Sequence, residues 1–197
     1  MKKHTNYIIE YENFVSEEKI DEILHLCKTY VLKKNIIFDE RNKNRSNDAH
    51  YLASYNDSVI QYLNKQCSIV GYQALLKYYK DCSLIKYSIM HEYGFLSNYV
   101  YRFYDTNDQY NWHIDKSHTD IELKISFILY LNDDFEGGNT LFLNDKLKVT
   151  PKKGSALLFP CGPYFLHKST PVKSGQKHII WNCFGQSVYE NKLTADV

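Results

Sequence analysis

The sequence predicts a mainly β protein with flanking α-helices, in which the helices pack against a β-sandwich or β-barrel. Three observations carry that reading. Apolar residues at helical spacing are confined to the first half of the chain. From about Leu84 the pattern changes to short strand-like runs, and turn residues punctuate those runs at close intervals. The chain has 197 residues, 44% of them apolar and 24% charged, which suits one domain with a buried core.

Taken in order, an extended start over residues 7–11 comes first. Ser16 then stands as the N-cap of a helix that carries Ile20, Ile23, Leu24, Cys27 and Val31, with Val15 placed to staple onto Ile20. Beyond the apolar run Ile36-Ile37-Phe38, the polar and aperiodic stretch 35–56 reads as a solvated loop, with a substrate-facing lid as the lesser alternative. A second helix opens at Asp57 and carries Val59, Ile60, Leu63, Cys67 and Val70, continuing in pieces towards Tyr79. Strands are expected over 99–104, 123–131, 140–143, 156–159 and 177–184. The breaks between them are Asn132-Asp133-Asp134, Gly137-Gly138, Pro151 to Gly154 and Lys173-Ser174-Gly175.

Charge nearly balances, with 24 Lys and Arg against 23 Asp and Glu, so neither nucleic acid nor a membrane is expected as a partner. No apolar run approaches a signal-peptide core or a membrane span, and a cytoplasmic location is expected. The five cysteines are odd in number, widely spread and without a C-x-x-C pair, a pattern of reduced thiols. Tyrosine is abundant at 18 residues; its ring suits a core or a pocket while its hydroxyl needs a partner.

The sharpest cluster is Asn111-Trp112-His113-Ile114-Asp115. A His and an Asp two apart on a strand project to one face and can grip one metal ion. A second such pair, His118-Thr119-Asp120, follows at once, and either pair alone reads equally as a surface turn. Later blocks give the first pair a context. The apolar strand from Ile125 to Leu131 is followed by Gly137-Gly138-Asn139-Thr140-Leu141-Phe142. Next comes Pro151 to Phe159 with Gly154 inside it, and finally His167-Lys-Ser-Thr-Pro171-Val172-Lys-Ser-Gly175-Gln-Lys177.

In this order the blocks resemble the iron(II)- and 2-oxoglutarate-dependent dioxygenases, in particular the prolyl 4-hydroxylase-like branch, over about residues 99–184. That family's pattern is H-x-D, G-G-x-T-x-F, P-x-x-G-x-x-x-x-F and H-x-x-x-P-V-x-x-G-x-K. The resemblance implies a double-stranded β-helix (jelly-roll) core over roughly residues 81–190. Residues 1–80 would brace its major sheet from outside, the whole forming a single domain over 1–197. It also implies that His113, Asp115 and His167 are the catalytic iron(II) ligands, a facial triad that leaves positions open for 2-oxoglutarate and O2. Such enzymes hydroxylate a C–H bond and release succinate and CO2, with ascorbate as an occasional reductant.

By the same resemblance Lys177, ten residues after His167, holds the far carboxylate of 2-oxoglutarate. Tyr104, nine before His113, supports the co-substrate, and Tyr110 lies three before it. Tyr130 and Thr140 line the same pocket. Counting back from His118 gives Gln109 and Asp115 in place of those tyrosines, so His118 and Asp120 fall to the adjoining loop. Trp181 lies four after Lys177, whereas many members carry their pocket Trp six after it, where this chain has Cys183; core or pocket wall stays open for Trp181. The implied substrate is a prolyl residue in a protein or peptide. The alternatives are a free amino acid or other small molecule, or a non-catalytic or hydrolytic metal-binding jelly roll, which would not depend on 2-oxoglutarate.

Overall fold

A computed structural model describes residues 1–34, 45–82, 99–115 and 121–187. Ser16 caps α1 (Glu17–Leu26), its side chain accepting from the Lys19 amide. A π-helical turn over Cys27–Val31 and a short 3-10 turn follow, so Cys27 and Val31 reach the core beyond the α-helix and not on it. Asp57 caps α2 (Ser58–Asp81), accepting from the amides of Val59 and Ile60. This is one continuous helix of 24 residues and not the expected series of pieces. Gly71, in its middle, lets Tyr99 lie against the helix: a Cβ there would sit 2.2 Å from the Tyr99 hydroxyl oxygen.

The strands are β1 (Lys2–Lys3), β2 (Ile9–Tyr11), β3 (Asp48–Tyr51), β4 (Val100–Tyr104), β5 (Tyr110–His113), β6 (Ile121–Tyr130) and β7 (Glu136–Gly137). They continue as β8 (Thr140–Phe142), β9 (Leu147–Val149), β10 (Ala156–Pro160), β11 (His167–Ser169), β12 (Val172–Ser174) and β13 (Lys177–Ser187). Seven of them form an antiparallel sheet in the order β1-β2-β10-β6-β13-β4-β3, and a four-stranded sheet runs β5-β11-β8-β9. β12 and β7 make a small third pair. This mainly β architecture with flanking helices, a jelly roll, agrees with the expected fold class.

The stretch 35–56 is not all loop. Its described part contains β3, which pairs with β4 at the edge of the large sheet. An edge strand needs little apolar sequence, because one side of it is free; Asp48-Ala49-His50-Tyr51 therefore carries no hydrophobic signal, although Ala49 and His50 are buried.

Period-two alternation divides the large sheet into two faces. Ile125, Phe127 and Leu129 of β6, Ala156 and Leu158 of β10, and Ile180 and Phe184 of β13 pack with the helices in one apolar cluster. α2 supplies Ile60, Leu63, Cys67, Val70, Ala74 and Tyr78 to it, and α1 supplies Ile20 and Ile23. The opposite face carries Ile128 and Tyr130 of β6, Leu157 and Phe159 of β10, and Ile179 of β13, packed with Phe142 and Val149 of the smaller sheet. Both faces of β6 are covered, which explains its apolar run over 125–131, interrupted by Ser126. Among the described residues no helix is long and apolar enough to cross a membrane.

Candidate active site

The site lies between the two sheets. β5 and β11 pair so that His113 and His167 are direct cross-strand neighbours, their ring centroids 4.2 Å apart. Asp115 follows two residues beyond His113, just past the end of β5, and one oxygen of its carboxylate faces each imidazole. His113 Nε2 is 3.8 Å from Oδ1 and His167 Nε2 is 3.7 Å from Oδ2.

Both rings are held by the other nitrogen. His113 Nδ1 is 2.7 Å from the Asn111 carbonyl oxygen and His167 Nδ1 is 2.9 Å from that of Phe165. A carbonyl only accepts, so each Nδ1 carries the proton and each Nε2 keeps its lone pair for the centre of the cluster. Burial, reinforced by the neighbouring His167, pushes the His113 imidazole down to about 3, so it stays neutral. Burial works against the Asp115 carboxylate. The two imidazoles and a hydrogen bond donated by the Ser126 hydroxyl outweigh it and keep the carboxyl below its usual value. The ligand atoms of His113, Asp115 and His167 lie within 4.8 Å of one another, a set that could hold a metal ion. Asp115, Cys161 and Cys183 meet the same distance, but burial raises the Cys183 thiol well above its ordinary value and keeps it protonated, a poor metal ligand.

A cavity opens beside the cluster. At one end lies Lys177, only 1% exposed, on the first residue of β13 and opposite Tyr104 of β4. Its ammonium donates to the Gly138 carbonyl at 2.7 Å and the Ser169 hydroxyl at 2.9 Å, and sits 4.9 Å from the centre of the Tyr104 ring. Gly138 has φ 58°, and a Cβ there would come within 3.0 Å of the Lys177 side chain, so the Gly137-Gly138 turn is what admits the lysine. Among the described residues no carboxylate pairs with Lys177, and burial pulls its pKa down to about 7. Tyr130 and Thr140 are hydrogen-bonded to each other at 2.9 Å, both buried, with Thr140 on the cavity wall.

The structure thus brings His113, Asp115, His167, Lys177, Tyr104, Tyr130 and Thr140 to one place. Tyr110 also lines the cavity, its ring stacked on His113 with centroids 3.6 Å apart. Trp181 is resolved as cavity wall. Cys183 points to Ser126 and Cys161. His118 and Asp120 lie outside the described residues.

Residues 98–185 match the family model described as the 2OG-Fe(II) oxygenase superfamily. That match covers just under half of the chain, the part that holds the site, and the likeness to the superfamily is a likeness of this region. A curated relative in Acanthamoeba polyphaga mimivirus, named "Putative prolyl 4-hydroxylase", is 40% identical over 67 residues, a match spanning 29% of this chain and 28% of that protein. Among solved structures, a viral collagen prolyl hydroxylase from Paramecium Bursaria Chlorella virus-1, in its 2OG complex, superposes with a TM-score of 0.66. It has 21% identity, over 91% of this chain and 96% of that one. A Trichoplax adhaerens prolyl hydroxylase bound to a hypoxia inducible factor peptide superposes with a TM-score of 0.72 at 16% identity, over 96% and 88% of the two chains. These structural likenesses establish the fold.

The residues present fit iron(II) and 2-oxoglutarate, the metal and co-substrate in the description of the matching family model. Two neutral imidazoles and one carboxylate are the donor set of a non-haem iron(II) site with open positions. A buried ammonium without a carboxylate partner fits one end of a dicarboxylate. Sequence reasoning missed three residues here. Ser126 is the lone polar residue in the apolar run 125–131, and Ser169 stands two after His167 on the same strand face; both signals were legible. Arg102, two before Tyr104 on β4, also lines the cavity.

Proposed function

We propose that this protein is a 2OG-Fe(II) oxygenase that hydroxylates a C–H bond with O2, releasing succinate and CO2, and that its substrate is a prolyl residue in a protein or peptide. The observation that carries the reading is the His113–Asp115–His167 cluster beside the buried, carboxylate-free Lys177. Iron(II), when bound with 2-oxoglutarate, supplies the oxidising power for attack on an unactivated C–H bond. In this reading His113, Asp115 and His167 are its ligands. The backbone carbonyls of Asn111 and Phe165 fix the two ring orientations, and the Ser126 hydroxyl holds the carboxylate.

Lys177 would receive the far carboxylate of 2-oxoglutarate with its remaining N–H, while Tyr104 and the Tyr130–Thr140 pair shape that end. Ile128, Ile179 and Trp181 line the cavity with apolar surface and exclude water from the reacting centre. The prolyl substrate is supported by the mimivirus relative and by the kinship of the fold to prolyl hydroxylases.

The test is an anaerobic titration of iron(II) and then 2-oxoglutarate into apo-protein, followed by the visible charge-transfer band of the chelate. A saturable band is expected, followed by succinate release that rises with proline-containing peptides. Bound metal without a band would return the protein to the hydrolytic or non-catalytic alternatives.

A further inference from the structure

Arg102 is only 5% exposed and lines the cavity, yet its Nε and Nη1 are buried without any hydrogen-bond partner. It sits on β4 opposite Ile179, two pairs along from the Tyr104–Lys177 pair and so on the same face of the sheet. Its guanidinium lies 4.8 Å from the centre of the Trp181 ring and 5.7 Å from that of Tyr110, so two aromatic faces fix it. A guanidinium cannot shed its proton, and ring faces do not satisfy its in-plane donors. Burying such a cation is costly unless an anion completes it.

Among the described residues the cavity does not supply that anion. Among the described lining residues Asp115 is the one acidic side chain, and its oxygens face His113 and His167. The guanidinium of Arg45, also buried, lies 5.7 Å from the centre of the same Tyr110 ring and adds positive charge. The Arg102 head therefore awaits a planar, bidentate anion, which is the geometry of a carboxylate.

Resting on the oxygenase reading above, we propose that Arg102 anchors a carboxylate of the primary substrate and so selects a carboxylate-bearing one. Lys177 and Arg102 occupy different rows of the same sheet face, roughly 7 Å apart along the strands. Trp181, one of the two rings that the guanidinium contacts, lies four residues beyond Lys177 on β13, so the guanidinium and the ammonium define two separate anion subsites. Lys177 closes the inner one, which suits the co-substrate. The outer one lies next to Tyr110, the ring that stacks on His113, and is bordered by Ile128, Ile179 and Trp181. A small apolar body carrying a carboxylate fits this combination. That carboxylate comes either from a free amino acid or from an acidic group next to the target residue of a peptide.

The experiment compares wild type, Arg102→Gln and Arg102→Lys, each loaded anaerobically with iron(II) and 2-oxoglutarate and checked for folding by its melting curve. Calorimetric titrations then use acetate, L-proline, N-acetyl-prolyl-aspartate and the carboxylate-free prolinamide. Saturable binding of the carboxylates, and not of prolinamide, is expected in wild type. A loss of about tenfold or more is expected in Arg102→Gln, with partial retention in Arg102→Lys.

Tighter binding of L-proline than of the peptide would assign the carboxylate to a free amino acid, and the reverse order to an acidic peptide. Equal binding of prolinamide, unchanged affinity in Arg102→Gln, or no carboxylate binding by wild type would each overturn the proposal. A comparable loss of 2-oxoglutarate affinity in Arg102→Gln would also overturn it, by giving Arg102 to the co-substrate. Failure of wild type to take up 2-oxoglutarate at all would strike the oxygenase reading itself, a distinct result.

Discussion

The two faces of the seven-stranded sheet are built from the same strands, and both carry apolar residues, but only one adds to them the charged side chains that line the cavity. Towards the helices, β6 presents Ile125, Phe127 and Leu129, and β13 presents Ile180 and Phe184. Towards the smaller sheet, the same strands present Ser126 and Tyr130, and Lys177 and Trp181. One face is an apolar contact that stabilises the fold. The other presents an ammonium and a guanidinium towards the two imidazoles and the carboxylate carried by the smaller sheet and its edge. The difference teaches that stability and function are separated by a single residue step along each strand.

Substitutions can break that separation. The largest effect is expected at the cluster: Asp115→Ala should abolish turnover and iron(II) binding while the protein stays folded, checked by metal content and succinate release. A variant that lost its fold as readily as a core mutant would mean that the pocket face is structural after all. On the other face, Leu129→Ala should cost about 2–5 kcal/mol of stability through the cavity it leaves. Below its melting temperature it should leave 2-oxoglutarate affinity unchanged, read by denaturant unfolding alongside the titration.

Lys177→Met sharpens the comparison because the two effects have opposite signs. Loss of the charge-assisted contact should weaken 2-oxoglutarate by about 1.5–3 kcal/mol. Removal of a buried ammonium without a carboxylate partner should raise the melting temperature of the apo-protein. A lower melting temperature would show that the Gly138 and Ser169 contacts already compensate the burial.

The smallest effect is the pH dependence of the same group. Its folded value of about 7 lies below the unfolded value of about 10.4, so between these pH values the unfolded chain binds more protons. The Lys177 contribution to apo-protein stability therefore rises with pH over that window. Binding of 2-oxoglutarate needs the ammonium, so above pH 7 it should weaken and take up a proton. Calorimetry in buffers of different ionisation enthalpy would reveal the uptake, and its absence would place the Lys177 value higher.

Much of this was legible in the chain. Ser16 and Asp57 announced the two helix starts because capping is local: the side chain and the amides it satisfies lie within three residues. The blocks from His113 to Lys177 announced the site because His113, His167 and Lys177 occupy strand positions, and Asp115 the position just past one, whose spacing the fold constrains. β3 was hidden, since an edge strand needs no apolar pattern. The continuity of α2 was hidden too, because Gly71 reads as a helix weakness until Tyr99 is found lying over it.

By itself the sequence determined the class of fold, the helix boundaries set by caps, and the residue types of a metal and dicarboxylate site. Only the tertiary structure decided which polar residues serve that site. Ser126, Ser169 and Arg102 acquire roles from partners on other strands, and sequence distance does not encode a cross-strand neighbour. Whether a buried side chain has its partner or awaits one depends on every group around it, so the open donors of Arg102 appear only once the cavity is assembled.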